Sequence, residues 1–135
     1  MKFPLEQILK FETIQYLHDN IIRRTGGLEG IKDKGGILSA LANPFHTFAG
    51  KELYPTIIEK IGIIFFSLIK NHGFTDGNKR TACLVLDMVL YNYNIFLNAN
   101  DEKMEEVAIR IAENKFSKEE TFNWIYKNIR RIEEK

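Results

Sequence analysis

Apolar residues recur at helical spacing along most of the chain. Ile14, Leu17, Ile21 and Ile22 follow a three-and-four rule and predict a helix from about Glu12 to Arg24. A shorter segment, Gly36 to Ala42, has room for two turns before Pro44 stops it. Between Thr56 and about Asn71, the residues Ile57, Ile58, Ile61, Ile64, Phe65, Leu68 and Ile69 cover most of a helix surface. Ala82, Val85, Leu86, Val89 and Leu90 do the same from Asn78 to about Asn92. Helices that are apolar nearly all round are buried nearly all round, so these two should form the central pair. Asn100-Asp101 opens a more polar helix with Val107, Ala108 and Ile111 on one face. Ser117 with Glu120 is a capping box that starts a last helix carrying Phe122, Ile125 and Ile129. Only Tyr93 to Leu97 has strand character. The expected class is all-α, without internal repeats, low-complexity runs or linkers.

At 135 residues the chain is expected to be a single domain, 1–135. Its 19 basic and 18 acidic residues nearly cancel, which argues against a surface that coats a polyanion. Trp124, Phe122 and Tyr126 read as packing of the terminal helix rather than as a base-stacking platform, so no nucleic-acid partner is expected. One cysteine, Cys83, excludes an internal disulfide framework and a multi-cysteine zinc site, and reads as a small core residue. Met1-Lys2-Phe3-Pro4 is followed by Glu6, Lys10 and Glu12, which leaves no apolar core for a signal peptide. The longest apolar stretch, Ile61 to Ile69, is about half a membrane span and contains Gly62 and Ser67. An intracellular, cytoplasmic chain without a membrane partner is expected.

The chemistry concentrates in His72-Gly73-Phe74-Thr75-Asp76-Gly77-Asn78-Lys79-Arg80, which joins the two most hydrophobic helices. Each residue has a purely structural reading. Gly73 can cap the preceding helix in a left-handed conformation, Asp76 can N-cap the next one, and Phe74 can peg the loop to the core. His72 can be a hydrogen-bonded spectator. Lys79 and Arg80 resist that treatment, because they stand in the first turn of a helix whose dipole is already positive there. Cations in that place cost up to about 1 kcal/mol each. An anion would relieve the cost: a helix N-terminus with free N–H groups at Gly77, Asn78 and Lys79 and with flanking cations is a phosphate cradle. Gly77 would let a phosphate approach the backbone. Asp76 could hold a Mg²⁺ that bridges phosphate oxygens, and His72 could take the proton from an attacking hydroxyl. Base, metal carboxylate and cradle describe a phosphoryl or nucleotidyl transferase.

The segment His72-x-Phe74-x-Asp76-Gly77-Asn78-Lys79-Arg80 resembles the active-site motif of the Fic/Doc family, His-x-Phe-x-Asp/Glu-Gly/Ala-Asn-Gly/Lys-Arg. Upstream, His18-Asp19, Gly26-Gly27-x-x-Gly30, Asp33-x-Gly35, Ser39-Ala40 and Pro44 are similar to the N-terminal signature of the Doc (death-on-curing) branch. The resemblance implies an all-α helical bundle with two buried central helices flanking the active-site loop, and it implies ATP as co-substrate with Mg²⁺. His72 would be the general base and Asp76 the metal ligand. Gly77 and Asn78 would form an anion nest, Arg80 would hold nucleotide phosphates, and Lys79 would set the nucleotide's orientation. Pro44 to Tyr54 would be a flap that aligns the target by backbone pairing, with His46, Thr47, Phe48 and Lys51 as candidate contacts. His18-Asp19 and Gly26-Gly27 read as scaffolding.

Family members that transfer AMP typically carry Gly at the position of Lys79 and a further Arg at that of Cys83. Doc proteins share the pattern seen here, and in them the nucleotide is reversed and the γ-phosphate is transferred. The resemblance therefore implies a toxin of a toxin–antitoxin pair that phosphorylates a Thr or Ser hydroxyl, with elongation factor Tu as the family target, and so halts translation. Protein adenylyltransfer is the alternative reading, and a non-catalytic binding module is a third. Thr25-Gly26-Gly27-Leu28-Glu29-Gly30 matches the Ser/Thr-x-x-x-Glu-Gly/Asn signature of a self-inhibitory helix. Paired glycines make a poor helix, so the match is read as accidental. Restraint is expected from a separate antitoxin chain.

Overall fold

The computed structural model describes residues 3–133. Met1-Lys2 and Glu134-Lys135, which belong to the leader and chain-length expectations, lie outside the described residues. The elements run α1 (Leu5–Ile8), α2 (Phe11–Thr25), α3 (Lys34–Ala42), a 3-10 turn (Asn43–Phe45), β1 (Thr47–Phe48), β2 (Lys51–Glu52), α4 (Ile57–Asn71), α5 (Asn78–Asn92), β3 (Ile95–Leu97), α6 (Asp101–Ala112), α7 (Lys118–Asn128) and β4 (Ile129–Arg131). This is the expected all-α class, with two antiparallel strand pairs added, β1–β2 and β3–β4.

The two helices that are apolar all round do form the centre. α4 packs against α5, α3, α6 and α7, while α5 packs against α2, α4, α6 and β3. Ile61, Ile64 and Phe65 of α4 and Ala82, Val85, Leu86 and Leu90 of α5 are at most 1% exposed. Gly62 lets α7 close onto α4, since a β-carbon there would stand 2.5 Å from the Phe122 ring. The start of α4 is set by Thr56, whose hydroxyl accepts the Glu59 N–H while Glu59 Oε1 accepts the Thr56 N–H. Ser117 and Glu120 form the same reciprocal cap on α7, as the sequence predicts. No helix among the described residues is long and apolar enough to cross a membrane.

Two expectations need correction. Ile129 does not continue the last helix: α7 ends at Asn128, and Ile129 turns extended to pair with Leu97. The edge of β3 supplies the reason, since β4 satisfies its backbone polar groups and flanking bonds run from Asn98 N–H to Asn128 O (2.7 Å) and from Ile132 N–H to Asn94 O (2.9 Å). Residues 47–52 carry no strand periodicity, yet they form a hairpin in which Thr47 opposes Glu52 and Phe48 opposes Lys51. Its turn places Ala49 and Gly50 at positive φ. The Lys60 ammonium holds its feet by donating to the carbonyls of Pro44 and Tyr54 and to the Glu52 carboxylate.

The reciprocal cap at Thr56 generates a stability prediction. Thr56→Ala removes the hydroxyl that accepts the Glu59 N–H in an exposed capping box, leaving the backbone half in place, and costs about 1 kcal/mol. That loss is read as a lower urea midpoint with unchanged slope, and an unchanged midpoint would contradict the role given to the cap.

Candidate active site

The loop between α4 and α5 is held by its own residues and by the α2–α3 connection. At its entrance His72 takes the left-handed conformation that ends α4, with φ 51° and ψ 50°. The sequence reading gave that turn to Gly73. Gly73 is needed for something else: a β-carbon there would collide with Ile37 and lie 3.0 Å from the Asp33 carbonyl. With glycine committed to close approach, the histidine carries the left-handed turn, a strained placement of the kind that collects at functional sites. The His72 side chain is exposed and hydrogen-bonds nothing among the described residues.

Phe74 is 2% exposed and anchors the loop to the core. Asn78 closes the loop on itself, its Oδ1 accepting the Phe74 N–H and its Nδ2 donating to the Phe74 carbonyl, each at 2.9 Å. The Asn78 side chain is thus committed to the loop through Oδ1 and one Nδ2 hydrogen, and its backbone N–H stands at the helix N-terminus where an anion would sit. Gly77, at φ 79°, occupies the N-cap position of α5 in place of Asp76. Its N–H is not free as the sequence suggested, because it donates to Asp76 Oδ1 at 2.8 Å. The first-turn N–H groups that follow have no carbonyl partner within α5.

The α2–α3 connection lies against this loop. Lys32 and Asp33 N–H both donate to the Gly73 carbonyl, and Thr75 N–H donates to the Gly30 carbonyl. Leu28 N–H donates to Asp76 Oδ2 at 3.1 Å. Arg80 donates through Nη1 to the Thr25 hydroxyl and the Gly26 carbonyl, and its Nη2 lies 3.6 Å from Asp76 Oδ1. Gly27 makes the approach possible: at φ 125°, a β-carbon on it would stand 2.7 Å from Asp76 Oδ2 and 3.1 Å from Arg80 Nη2. His18, 1% exposed, reaches the Asp76 carbonyl with Nε2 at 2.8 Å. The His18-Asp19 and Gly26-Gly27 pairs, read from sequence as scaffolding, therefore build the site directly. Residues 26–30 form a loop rather than an inhibitory helix, as the paired glycines predict.

The Leu28 and Gly77 N–H groups hold the Asp76 carboxyl below its ordinary 3.8; desolvation opposes them, and the Arg80 and then the Lys79 charge each add a smaller lowering. Asp76 is therefore an ionised carboxylate with one protein N–H on each oxygen and lone pairs to spare. No cluster of three or more His, Cys, Asp or Glu able to hold a metal occurs among the described residues. Asp76 would be the single protein carboxylate for a Mg²⁺, which suits an ion that keeps several waters and shares substrate phosphates. Lys79 hydrogen-bonds nothing among the described residues, so its ammonium is available for an anion.

Asp76, Gly77, Asn78, Lys79 and Arg80 line one end of a groove of about 540 Å³ between α5 and α6. The other end is acidic, with Asp87, Asp101 and Glu105 beside Cys83, Leu84 and Met104. Burial, and then those three carboxylates, push the Cys83 thiol up to about 12, so it offers no thiolate. Burial also raises Asp87, with Asp101 adding to it. His72 and the hairpin residues His46, Thr47, Phe48 and Lys51 do not line the groove. Those four are exposed, and Phe48 is 76% exposed at the hairpin tip.

Because its carboxyl is depressed in the fold, Asp76 contributes stability above 3.8 that is lost as the pH falls through the lower folded value. Asp76→Asn should therefore be less stable than the parent at pH 7, with the gap narrowing towards pH 2 in paired urea titrations. A gap that stays constant across that range would contradict the assignment.

The Fic/DOC family profile matches residues 8–90, which takes in both loops and the helices that carry them. The chain is 34% identical over 91 residues to Toxin Doc of Mycolicibacterium smegmatis (strain ATCC 700084 / mc(2)155), covering 63% of this chain and 70% of that protein. A chain with this loop, this fold and these matches belongs to the Fic/Doc family, in its Doc branch.

Proposed function

We propose that this chain is a Doc-like toxin of a toxin–antitoxin pair that transfers the γ-phosphate of ATP to a Thr or Ser hydroxyl of a protein target. Elongation factor Tu is the target that the family resemblance points to, and a cytoplasmic arrest of translation would follow. The carrying observation is the cradle: two cations and a helix N-terminus converge beside one ionised carboxylate, at the end of a loop that begins with an unengaged histidine.

The charge layout of the groove supports phosphate transfer over AMP transfer. Cations stand only at the Lys79–Arg80 end of its lining, whereas the far end carries Asp87, Asp101 and Glu105. A triphosphate is best accommodated with its most highly charged terminal phosphate in the cradle and its nucleoside away from it. The neutral Cys83 thiol provides no second phosphate clamp one turn along α5.

In this reading Arg80, already fixed by Thr25, Gly26 and Asp76, presents its remaining N–H groups to phosphate oxygens. Lys79 neutralises charge, and the Asn78 and Lys79 backbone N–H groups complete the cradle. A Mg²⁺ held by Asp76 would offset the charge that develops on the phosphate oxygens. His72 accepts the proton of the target hydroxyl as the hydroxyl oxygen bonds to the γ-phosphorus. The bond from that phosphorus to the β-phosphate oxygen breaks and ADP leaves. The 47–52 hairpin offers exposed strand edges on which an extended target segment can pair. An antitoxin chain would supply the restraint.

The test is incubation of the purified chain with ATP, Mg²⁺ and elongation factor Tu, followed by intact mass measurement. A phosphate-sized increment is expected, with His72→Ala slowing its appearance about 10²–10⁴-fold. An AMP-sized increment would contradict the phosphate reading and return the chain to the adenylylating group. An increment unaffected by His72→Ala would contradict the role of the base.

A further inference from the structure

Residues 46–53 are all exposed, so the 47–52 hairpin buries nothing that would hold its shape. Its strands, Thr47–Phe48 and Lys51–Glu52, are too short to stand alone, since even a longer two-stranded hairpin is marginal in water. Order must reach it through its feet. Pro44 and Tyr54 are buried on either side of it, and the Tyr54 ring stands edge-on to Phe122 of α7 with centroids 6.0 Å apart. Between the feet lies the Lys60 ammonium, which donates to the Pro44 carbonyl at 3.2 Å, to Glu52 Oε1 at 2.8 Å and to the Tyr54 carbonyl. An ammonium has three hydrogens, and each has its oxygen here. The Lys60 side chain is 12% exposed and closes the first turn of α4, where the helix dipole disfavours a cation. Packing of α4 alone would need only an apolar side chain there, so the charge is explained by the oxygens it gathers.

We propose that Lys60 is a positioning residue for the protein target: by tying both feet of the hairpin to α4, its ammonium fixes where the 47–52 strand edges stand relative to the active-site loop. The Glu52 carboxylate carries the hold from the feet into β2 itself. One helix joins the two places, because α4 bears Lys60 near its start and is closed by His72 at its end. The separation along that helix is about 18 Å at its regular rise. Lys60 therefore touches no reacting atom and acts through the hairpin alone. A strand edge that is already in place spares an extended target segment the cost of ordering its template, so the hold enters target binding rather than bond making.

The inference rests on the proposed function for the target, and not for the order of the hairpin. Lys60→Met keeps the linear stem and removes the three donors. In nitrogen-15 relaxation of the full chain, the amide order parameters of residues 47–52 should fall from about 0.85 to below about 0.6, with those of α4 unchanged. Hairpin order that is unchanged in Lys60→Met would overturn the hold. Glu52→Ala, on an exposed strand where folding is not at risk, removes one of the three bonds and should lower the Lys51 and Glu52 order parameters by a smaller amount; no change there would overturn the part given to the carboxylate. With ATP, Mg²⁺ and elongation factor Tu, Lys60→Met should raise KM for the protein about tenfold and leave kcat within about twofold. A lower kcat at unchanged KM would overturn the positioning role. A parent chain that leaves elongation factor Tu unmodified would contradict the proposed function, while loss of hairpin order in Lys60→Met would still support the hold.

Discussion

Everything at the site depends on two glycine-rich connections being laid backbone to backbone. The Gly73 carbonyl accepts from both Lys32 and Asp33, Thr75 donates to Gly30, and Ile31 bridges Phe74. These bonds involve main-chain atoms, so they fix the relative height of the two loops whatever side chains they carry. Once the loops are in register, Leu28 N–H meets Asp76, the Gly26 carbonyl meets Arg80, and His18 reaches under the Asp76 carbonyl. The close approaches at Gly27 and Gly73 leave no space for a β-carbon. Stability and the geometry of the candidate site share one set of contacts here.

The second constraint is electrostatic. Placing Lys79 and Arg80 in the first turn of α5 sets cations against the positive end of a helix dipole. The structure relieves part of that cost internally, through Asp76 and through the Thr25 and Gly26 oxygens on Arg80. It leaves the Lys79 ammonium without a hydrogen bond among the described residues and the first-turn N–H groups without a carbonyl partner in α5, and an anion would complete the balance. The acidic far end of the groove gives any such ligand a direction, with phosphate at one end and a neutral or hydrogen-bond-donating part at the other.

The fold was legible where periodicity is dense. The helices from Thr56 to Asn71 and from Asn78 to Asn92 could be read residue by residue, because a helix that is apolar over most of its surface leaves little ambiguity of face. The capping boxes at Thr56 and Ser117 were legible for the same local reason. What escaped depends on partners distant in the chain. Ile129 fits a helix stripe as well as it fits β4, and only the open edge of β3 decides between them. Gly73 is the natural left-handed cap until Ile37 and Asp33 are seen pressing on it, after which His72 must take the turn. The cradle residues stood out because their charges oppose the helix dipole. By contrast, the consumption of the Asn78 side chain and the Gly77 N–H within the loop is geometry that no spacing rule carries. The contribution of His18-Asp19 and Gly26-Gly27 was visible as a pattern without a chemistry, and contact with Asp76 and Arg80 supplies it.

The central claim is that the α5 N-terminus with Lys79 and Arg80 receives the terminal phosphate of a nucleotide. Titration of the nitrogen-15-labelled chain with ATP and Mg²⁺ tests this most directly, followed through the backbone amides. The account predicts that the largest shifts fall on Asn78, Lys79 and Arg80, and that Arg80→Ala weakens binding by about tenfold or more, as loss of a charged hydrogen bond would. Shifts centred elsewhere, or binding indifferent to Arg80→Ala, would contradict it.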